Sequence, residues 1–350
     1  MAALCDLVSV GLIEKDTNDD VLWSWSYPQV TENQRSLFMR KSCLTTGNEF
    51  IVEFLFSQID RQWYYIFTKE VDNVAMLPKV KGFSLILLAK DFNPEKYLTL
   101  CQILSQQYCK KGTPVSMLEV YLSVVTKGKC STDENGKFST QDYQSKLAYT
   151  NSNLAGIIET FGVETILIYT ALLLKKRIAV YFPPHSITDV LQFTRSLPAF
   201  VWHRQNWNIV FPYVEMVDEE IDLLKTNNHY VAGFTDATIE SRSDLYDVFV
   251  NGTSSQVTVA SHAKESLAMG KLHKDIAMFM VKQIEDDSDV SQQQIIKDIA
   301  NKTKELLNNL KSLADDDGAI TLETLKERKM PPATENFLFN LAACEGLVKL

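Results

Sequence analysis

The chain has no apolar run long enough to cross a bilayer: its longest, Ile166 to Leu174, is about half the ~20 residues a membrane helix needs, and Glu164 and Lys175 bound it. The N-terminus, MAALCDLVSVGLIEKD, has no basic residue ahead of its apolar stretch and turns charged directly after it, which argues against a signal peptide and for a first strand. The sequence therefore reads as that of a soluble protein. Its cysteines (Cys5, Cys43, Cys101, Cys109, Cys130 and Cys344) form no C-x-x-C pair, which speaks against a zinc site and a disulfide framework and fits reduced thiols in the cytoplasm. None of the 13 glycines forms G-x-G-x-x-G or G-x-x-x-x-G-K-[ST], and Gly270-Lys271 is followed by leucine. H-E-x-x-H, G-x-S-x-G and the kinase signatures are also missing, so the sequence offers no catalytic constellation and implies no metal or organic cofactor. A net charge of −9 lacks the basic excess that nucleic-acid binding requires. The expected partner is protein.

What is present is ordinary globular material: 350 residues, 45% apolar and 23% charged, enough for two packed cores. Leu7 to Lys15 and Val21 to Tyr27 flank a turn cluster, Asp16 to Asp20, and read as a hairpin. Thr31 and Gln34 fit a capping box that opens a helix to about Cys43. Phe50 to Gln58 and Gln62 to Val71 read as strands split by Asp60-Arg61, and Phe83 to Ala89 as a strand in the middle of a sheet. Asn93-Pro94-Glu95 starts a helix toward Lys110, and Ser116 with Glu119 predicts a second capping box and a helix to about Lys127. The first lobe is thus β-β-α-β-β-β-α-α.

Gly128 to Asn153 is polar and turn-rich and reads as a linker. Beyond it the pattern predicts helices over Leu154 to Phe161, Val163 to Leu174 and Ser186 to Leu197, and a short one around Glu219 to Lys225. Strands are expected at Arg177 to Phe182, Ile209 to Tyr213, Tyr230 to Phe234, Leu245 to Val250 and Gln256 to Ala260. This alternation suggests a three-layer α/β unit. Apolar stripes through Leu267 to Met280 and, after a Ser291 to Gln294 capping box, Ile295 to Leu310 predict core-facing helices. A short helix around Leu322 to Lys329 and a final one bearing Phe337, Leu338, Leu341 and Leu347 close the chain.

Three places invite a functional reading. Trp202-His203-Arg204-Gln205-Asn206-Trp207 is either a loop anchored by two tryptophans or a polar surface flanked by aromatics, the composition of protein interfaces. Lys264, Lys271 and Lys274 form one helical stripe, most simply a solvated face. Asp236, Asp244 and Asp247 flank two strands, where acids are usually turn formers.

The succession LLLKKRIAVYF, SLPAFVWHRQNW, NIVFPYV, HYVAGF and DLYDVFVN, within Leu172 to Asn251, resembles the central segment of the DENN-domain family. The first-lobe order resembles that family's longin-type lobe, so the likeness covers the chain, and VGLIEKDTN, AKDFNPEKY, AMGKLHK and PPATENFL resemble one branch of it. The stretch Tyr230-Val231-Ala232-Gly233 departs from the family in lacking its usual proline. The resemblance implies a bilobed α/β DENN fold. Its parts would be a longin-like lobe (1–127) with an antiparallel sheet, a linker (128–153) and a C-terminal three-layer α/β lobe (154–260) ending in helices (261–350). It implies that the lobes clamp the switch regions of a Rab-family small GTPase and promote guanine-nucleotide exchange, with Trp202, His203, Gln205, Trp207, Asp236 and Asp247 as contact candidates. It also implies recruitment from the cytoplasm to late endosomes through partners, and association with the recycling assembly called Commander. A DENN adaptor without exchange activity is the alternative. GTPase activation by an arginine finger, Arg61 or Arg204, is a third reading.

Overall fold

The computed structural model describes residues 6–44, 51–72, 74–132, 136–285, 291–314 and 320–348. The chain is mixed α/β and divides into two compact units between Ala148 and Tyr149. Cys5 and Phe50, named above, lie outside the described residues.

In the first unit, β1 (Leu7–Asp16), β2 (Val21–Tyr27), β3 (Phe54–Ile59), β4 (Gln62–Glu70) and β5 (Val80–Ala89) form an antiparallel sheet ordered β2-β1-β5-β4-β3. β5 is central, as its continuous apolar run requires. Asp60 and Arg61 both take left-handed backbone (φ 50° and 61°), the conformation of a two-residue turn whose twist matches the flanking strands.

The period of two then sorts β4 onto two faces. Tyr64 meets Phe38 of α1 (Glu32–Lys41), with ring centroids 5.4 Å apart, while Tyr65 stacks on Tyr97 of α2 (Pro94–Lys111) at 4.4 Å. Helices therefore cover both faces. The Thr31–Gln34 capping box is formed, and Asn93 caps α2 with Pro94 in its first turn. α2 stops at Gly112 (φ 65°), where a Cβ would stand 2.4 Å from the Met76 carbonyl oxygen. The AKDFNPEKY stretch is knitted together: Lys96 donates to Asp91 at 2.9 Å, the Tyr97 hydroxyl donates to the same carboxylate, and the Tyr65 hydroxyl donates to the Asp91 carbonyl at 2.9 Å.

Two expectations are corrected here. The helix predicted from Ser116 and Glu119 is α3 (Pro114–Lys127), capped three residues earlier by Thr113. Ser116 lies inside it, its hydroxyl donating back to the Thr113 carbonyl at 2.7 Å, because Thr113-Pro114 offers an earlier cap and a ready first residue. The segment expected as a polar linker carries a hairpin, β6 (Lys129–Thr132) and β7 (Gly136–Ser139), and α4 (Ser145–Thr150). Cys130 and Phe138 bury themselves, and the Asn93 amide donates to the Tyr143 carbonyl at 3.2 Å, so two apolar anchors and one hydrogen bond order a sequence whose average is polar.

The second unit opens with α5 (Leu154–Phe161), a 3-10 turn (Gly162–Glu164) and α6 (Thr165–Leu173). Its sheet contains β8 (Arg177–Tyr181), β9 (Val210–Phe211), β10 (Tyr230–Phe234), β11 (Val248–Asn251) and β12 (Gln256–Val259), ordered β12-β11-β8-β10-β9. All pairings are parallel except that of β12. Helices α6 and α7 (Ile187–Ser196) pack on one face. On the other, Ala179, Ala232, Phe234 and Phe249 join Ile221 and Leu224 of α8 (Asp218–Lys225) and Ile239 in one apolar cluster. The Val257 amide of edge strand β12 donates to the Glu164 carboxylate at 3.2 Å.

Among the described residues, four helices follow: α9 (Lys271–Glu285), α10 (Gln292–Lys311), α11 (Leu322–Glu327) and α12 (Pro332–Cys344). Ile295, Ile299, Leu306 and Leu310 are buried as their spacing predicts, and Thr303 of α10 hydrogen-bonds the Tyr169 hydroxyl of α6 at 2.9 Å. Ser291 caps α10, but the Gln294 side chain turns to Asp298 instead of closing the box. α9 begins at Lys271, so Leu267 and Met269 precede it.

Candidate functional site

The Trp202–Trp207 segment spans the end of a 3-10 stretch (Leu197–Arg204) that follows α7, and precedes β9. Gln205 reverses the chain in left-handed backbone (φ 42°). Trp207 is buried: its indole donates to the Arg195 carbonyl at 2.8 Å, its ring lies parallel to Tyr149 at 4.0 Å, and Trp202 meets it edge-on at 6.0 Å. Burial removes Trp207 from the exposed contact set. Trp202 is half-buried, while His203 and Gln205 are exposed.

Arg204 between them is committed elsewhere. Its Nη1 and Nη2 donate to the Leu172 and Leu173 carbonyls, each at 2.7 Å, and its Nε and Nη2 donate to Glu345, which follows α12. Four of the five guanidinium N–H groups are thereby spent on the C-terminal end of α6 and one carboxylate. Lys175 adds a bond to the Cys344 carbonyl at 2.7 Å, and His203 Nε2 lies 3.2 Å from Glu345. Burial pushes the Glu345 carboxyl up, but the hydrogen bonds from His203 and Arg204 outweigh it and hold it at about 2. An arginine so occupied fastens three elements together and has no free fork to offer a phosphate. Arg61 sits exposed on the β3–β4 turn.

Asp236 and Asp247 do not form one site. Asp236 follows β10 at the carboxyl end of the parallel strands and caps the next turn, accepting from the Thr238 amide at 2.9 Å and hydroxyl at 2.7 Å. Asp247 precedes β11 at the amino end, where it accepts from the Arg177 amide at 2.8 Å, from Arg177 Nη2 at 3.0 Å, and lies 2.9 Å from His262 Nε2. The turn-former reading holds for Asp236. For Asp247 it is corrected, since the half-buried carboxylate is an ion-pair partner held below its ordinary range by Arg177 and His262 despite a desolvation that raises it. The Trp202–Trp207 turn shares the amino end with Asp247, but three strand spacings, roughly 14 Å, separate β9 from β11.

Sequence reasoning missed the Arg204–Glu345 contact, which joins residues far apart in the chain without any motif, and the Arg177–Asp247–His262 cluster. Among the described residues, no three His, Cys, Asp or Glu come together in a way that could hold a metal ion.

Comparison with known proteins gives a consistent relationship. The family described as "Stabilization of polarity axis" matches residues 151–261, which hold α5 and α6 and the parallel sheet. Over its full length the chain is similar to DENN domain-containing protein 10 of Danio rerio, 50% identical over 346 residues, 98% of each chain. It is 48% identical to the Homo sapiens protein of that name over 349 residues, 98% of this chain and 97% of the other. With the Dictyostelium discoideum protein it shares 38% identity over 97% of each chain.

Proposed function

Because the chain belongs to the family of DENN domain-containing protein 10, we propose that it binds a Rab-family small GTPase and promotes GDP release so that GTP can load. The observation that carries this reading is the extent of the likeness, 98% of the chain against a DENN domain-containing relative. In support, the Leu172 to Asn251 motifs of the DENN resemblance correspond to the parallel sheet and its turns, and β1 to α3 follow one another in the order the resemblance leads one to expect of a longin-type lobe.

Exchange asks for differential binding and for no proton transfer or nucleophile. A factor that prefers the nucleotide-free GTPase weakens nucleotide affinity by the same ratio. Lowering that affinity ~10³-fold needs about 4 kcal/mol of preference, within reach of a few well-packed contacts. Nucleotide and Mg²⁺ belong to the partner. Gln205 is the contact candidate whose exposure leaves it free for the partner, beside exposed His203, which also bonds Glu345, and half-buried Trp202.

Release of a fluorescent GDP analogue, measured across a panel of Rab proteins, tests the proposal. The expected result is acceleration for one or a few Rabs, reduced by His203→Ala with Gln205→Ala. Background rates throughout, from a chain that still co-purifies with Commander subunits, would replace exchange by the adaptor role. Recruitment to late endosomes through such partners is part of the same proposal, and imaging after partner depletion checks it.

A further inference from the structure

The second unit carries a small cleft apart from the Trp202–Trp207 turn. It lies between α5 and α7 beside Phe182, which follows β8 at the carboxyl end of the parallel strands, and its volume is about 210 Å³. In open α/β sheets ligands bind outside the carboxyl ends of the strands, where the chain switches direction across the sheet. Here the chain builds β8, β10 and β9 to one side and returns to place β11 on the other, so the switch lies between β8 and β11. The Phe182 ring stoppers that point: a Cβ on Gly252, just past β11, would lie 2.1 Å from Phe182 Cζ. What remains open is the α5–α7 side of the ring.

At this size the cleft falls below the roughly 300–1,000 Å³ of small-molecule sites, so it suits one long side chain better than a nucleotide or organic cofactor. Its lining is specific. Phe182 and Phe193 stand 5.7 Å apart with their planes tilted by 57°, and Ile157 adds an aliphatic wall. Asp189 and Gln192 border the same space, and neither side chain has a hydrogen-bond or ion-pair partner among the described residues. Asp189 stands in the first turn of α7, where the helix end accounts for an acid but not for an unpaired amide one turn on. A carboxylate, an amide oxygen and aromatic rings around a narrow space are complementary to a planar cation on an apolar stem.

We propose that this cleft receives an arginine side chain of a protein partner, its guanidinium set against the phenyl rings and paired with Asp189 and Gln192. Arginine fits better than lysine because its flat fork stacks and bonds at once. The net charge of −9 draws a basic surface toward it. The inference stands independently of the exchange reading.

The test titrates N-acetyl-arginine methylamide, its citrulline analogue and its lysine analogue into protein labelled at isoleucine methyl groups. The expected result is a saturable shift at Ile157 with none at Ile239 on the opposite face. Citrulline and lysine should bind about tenfold more weakly, a difference of ~1.4 kcal/mol. Asp189→Asn should bring arginine down to the citrulline level, while Asp222→Asn on α8 leaves it unchanged. No Ile157 shift at the solubility limit, equal binding of all three probes, or an unaltered arginine titration in Asp189→Asn each overturns the proposal.

Discussion

At the amino ends of the parallel strands in the second unit, charged groups close on one another: Arg177 on Asp247 and His262, Arg204 on Glu345 and the end of α6. At the carboxyl ends, Asp236 is spent on a local cap, but Asp189 and Gln192 face a cleft with no partner among the described residues. The first end uses charge to hold elements in place, and removing one member strands the other. The second leaves charge unspent, so removing it costs the fold little and can only affect what docks there.

Arg204→Met should break this contrast most forcefully. It leaves two helix carbonyls without their side-chain donor and the Glu345 carboxylate with His203 alone, an expected loss of about 3 kcal/mol in urea unfolding of the second unit. The clasp also sets an acid limit. Since Glu345 is held at about 2 against an ordinary 4.5, its contribution is complete above pH 4.5 and is lost as pH falls toward 2.

A second titration runs at milder pH. His273 is buried against Phe337, its Nδ1 accepting from the Gly270 amide at 3.0 Å, and burial lowers it from 6.5 to about 4. A histidine kept neutral by burial stabilises fully above its unfolded value. That stability should decline as pH falls from 6.5 to about 4, by an amount on the order of 2 kcal/mol. His273→Asn, which keeps an acceptor for Gly270 but does not titrate, should flatten the profile of melting temperature against pH.

Gly252→Ala should cost about 2 kcal/mol by overpacking against Phe182. It should also abolish the Ile157 response to arginine, since the ring that forms one wall of the cleft is displaced. Asp189→Asn should change stability by no more than about 0.5 kcal/mol. A large loss there would erase the contrast between the two ends.

Much of the architecture was readable from local signals. The hairpin, the Thr31 and Asn93 caps and the central position of β5 follow from periodicity and cap chemistry acting over a few residues. The β6–β7 hairpin escaped because two buried side chains, Cys130 and Phe138, anchor a stretch dominated by polar residues. Of the site, the hexapeptide was visible as unusual, yet its parts diverge: Trp207 serves the core, Arg204 is bonded to α6 and Glu345, and only its exposed neighbours face solvent. Asp247 was misread because a strand-end acid has the same local sequence whether it makes a turn or, as here, meets an arginine from a distant strand. Periodicity carries information over one turn of helix or one pleat. Pairings across a sheet need the fold first.

The hydrogen bond from Val257 to Glu164 has a consequence for colloidal behaviour. A strand at the margin of a sheet is a template on which a neighbouring molecule can crystallise its own backbone, and here one carboxylate occupies an amide of that template. Glu164→Ala would keep the chain folded yet leave it stickier, so that concentrated samples scatter more light on storage.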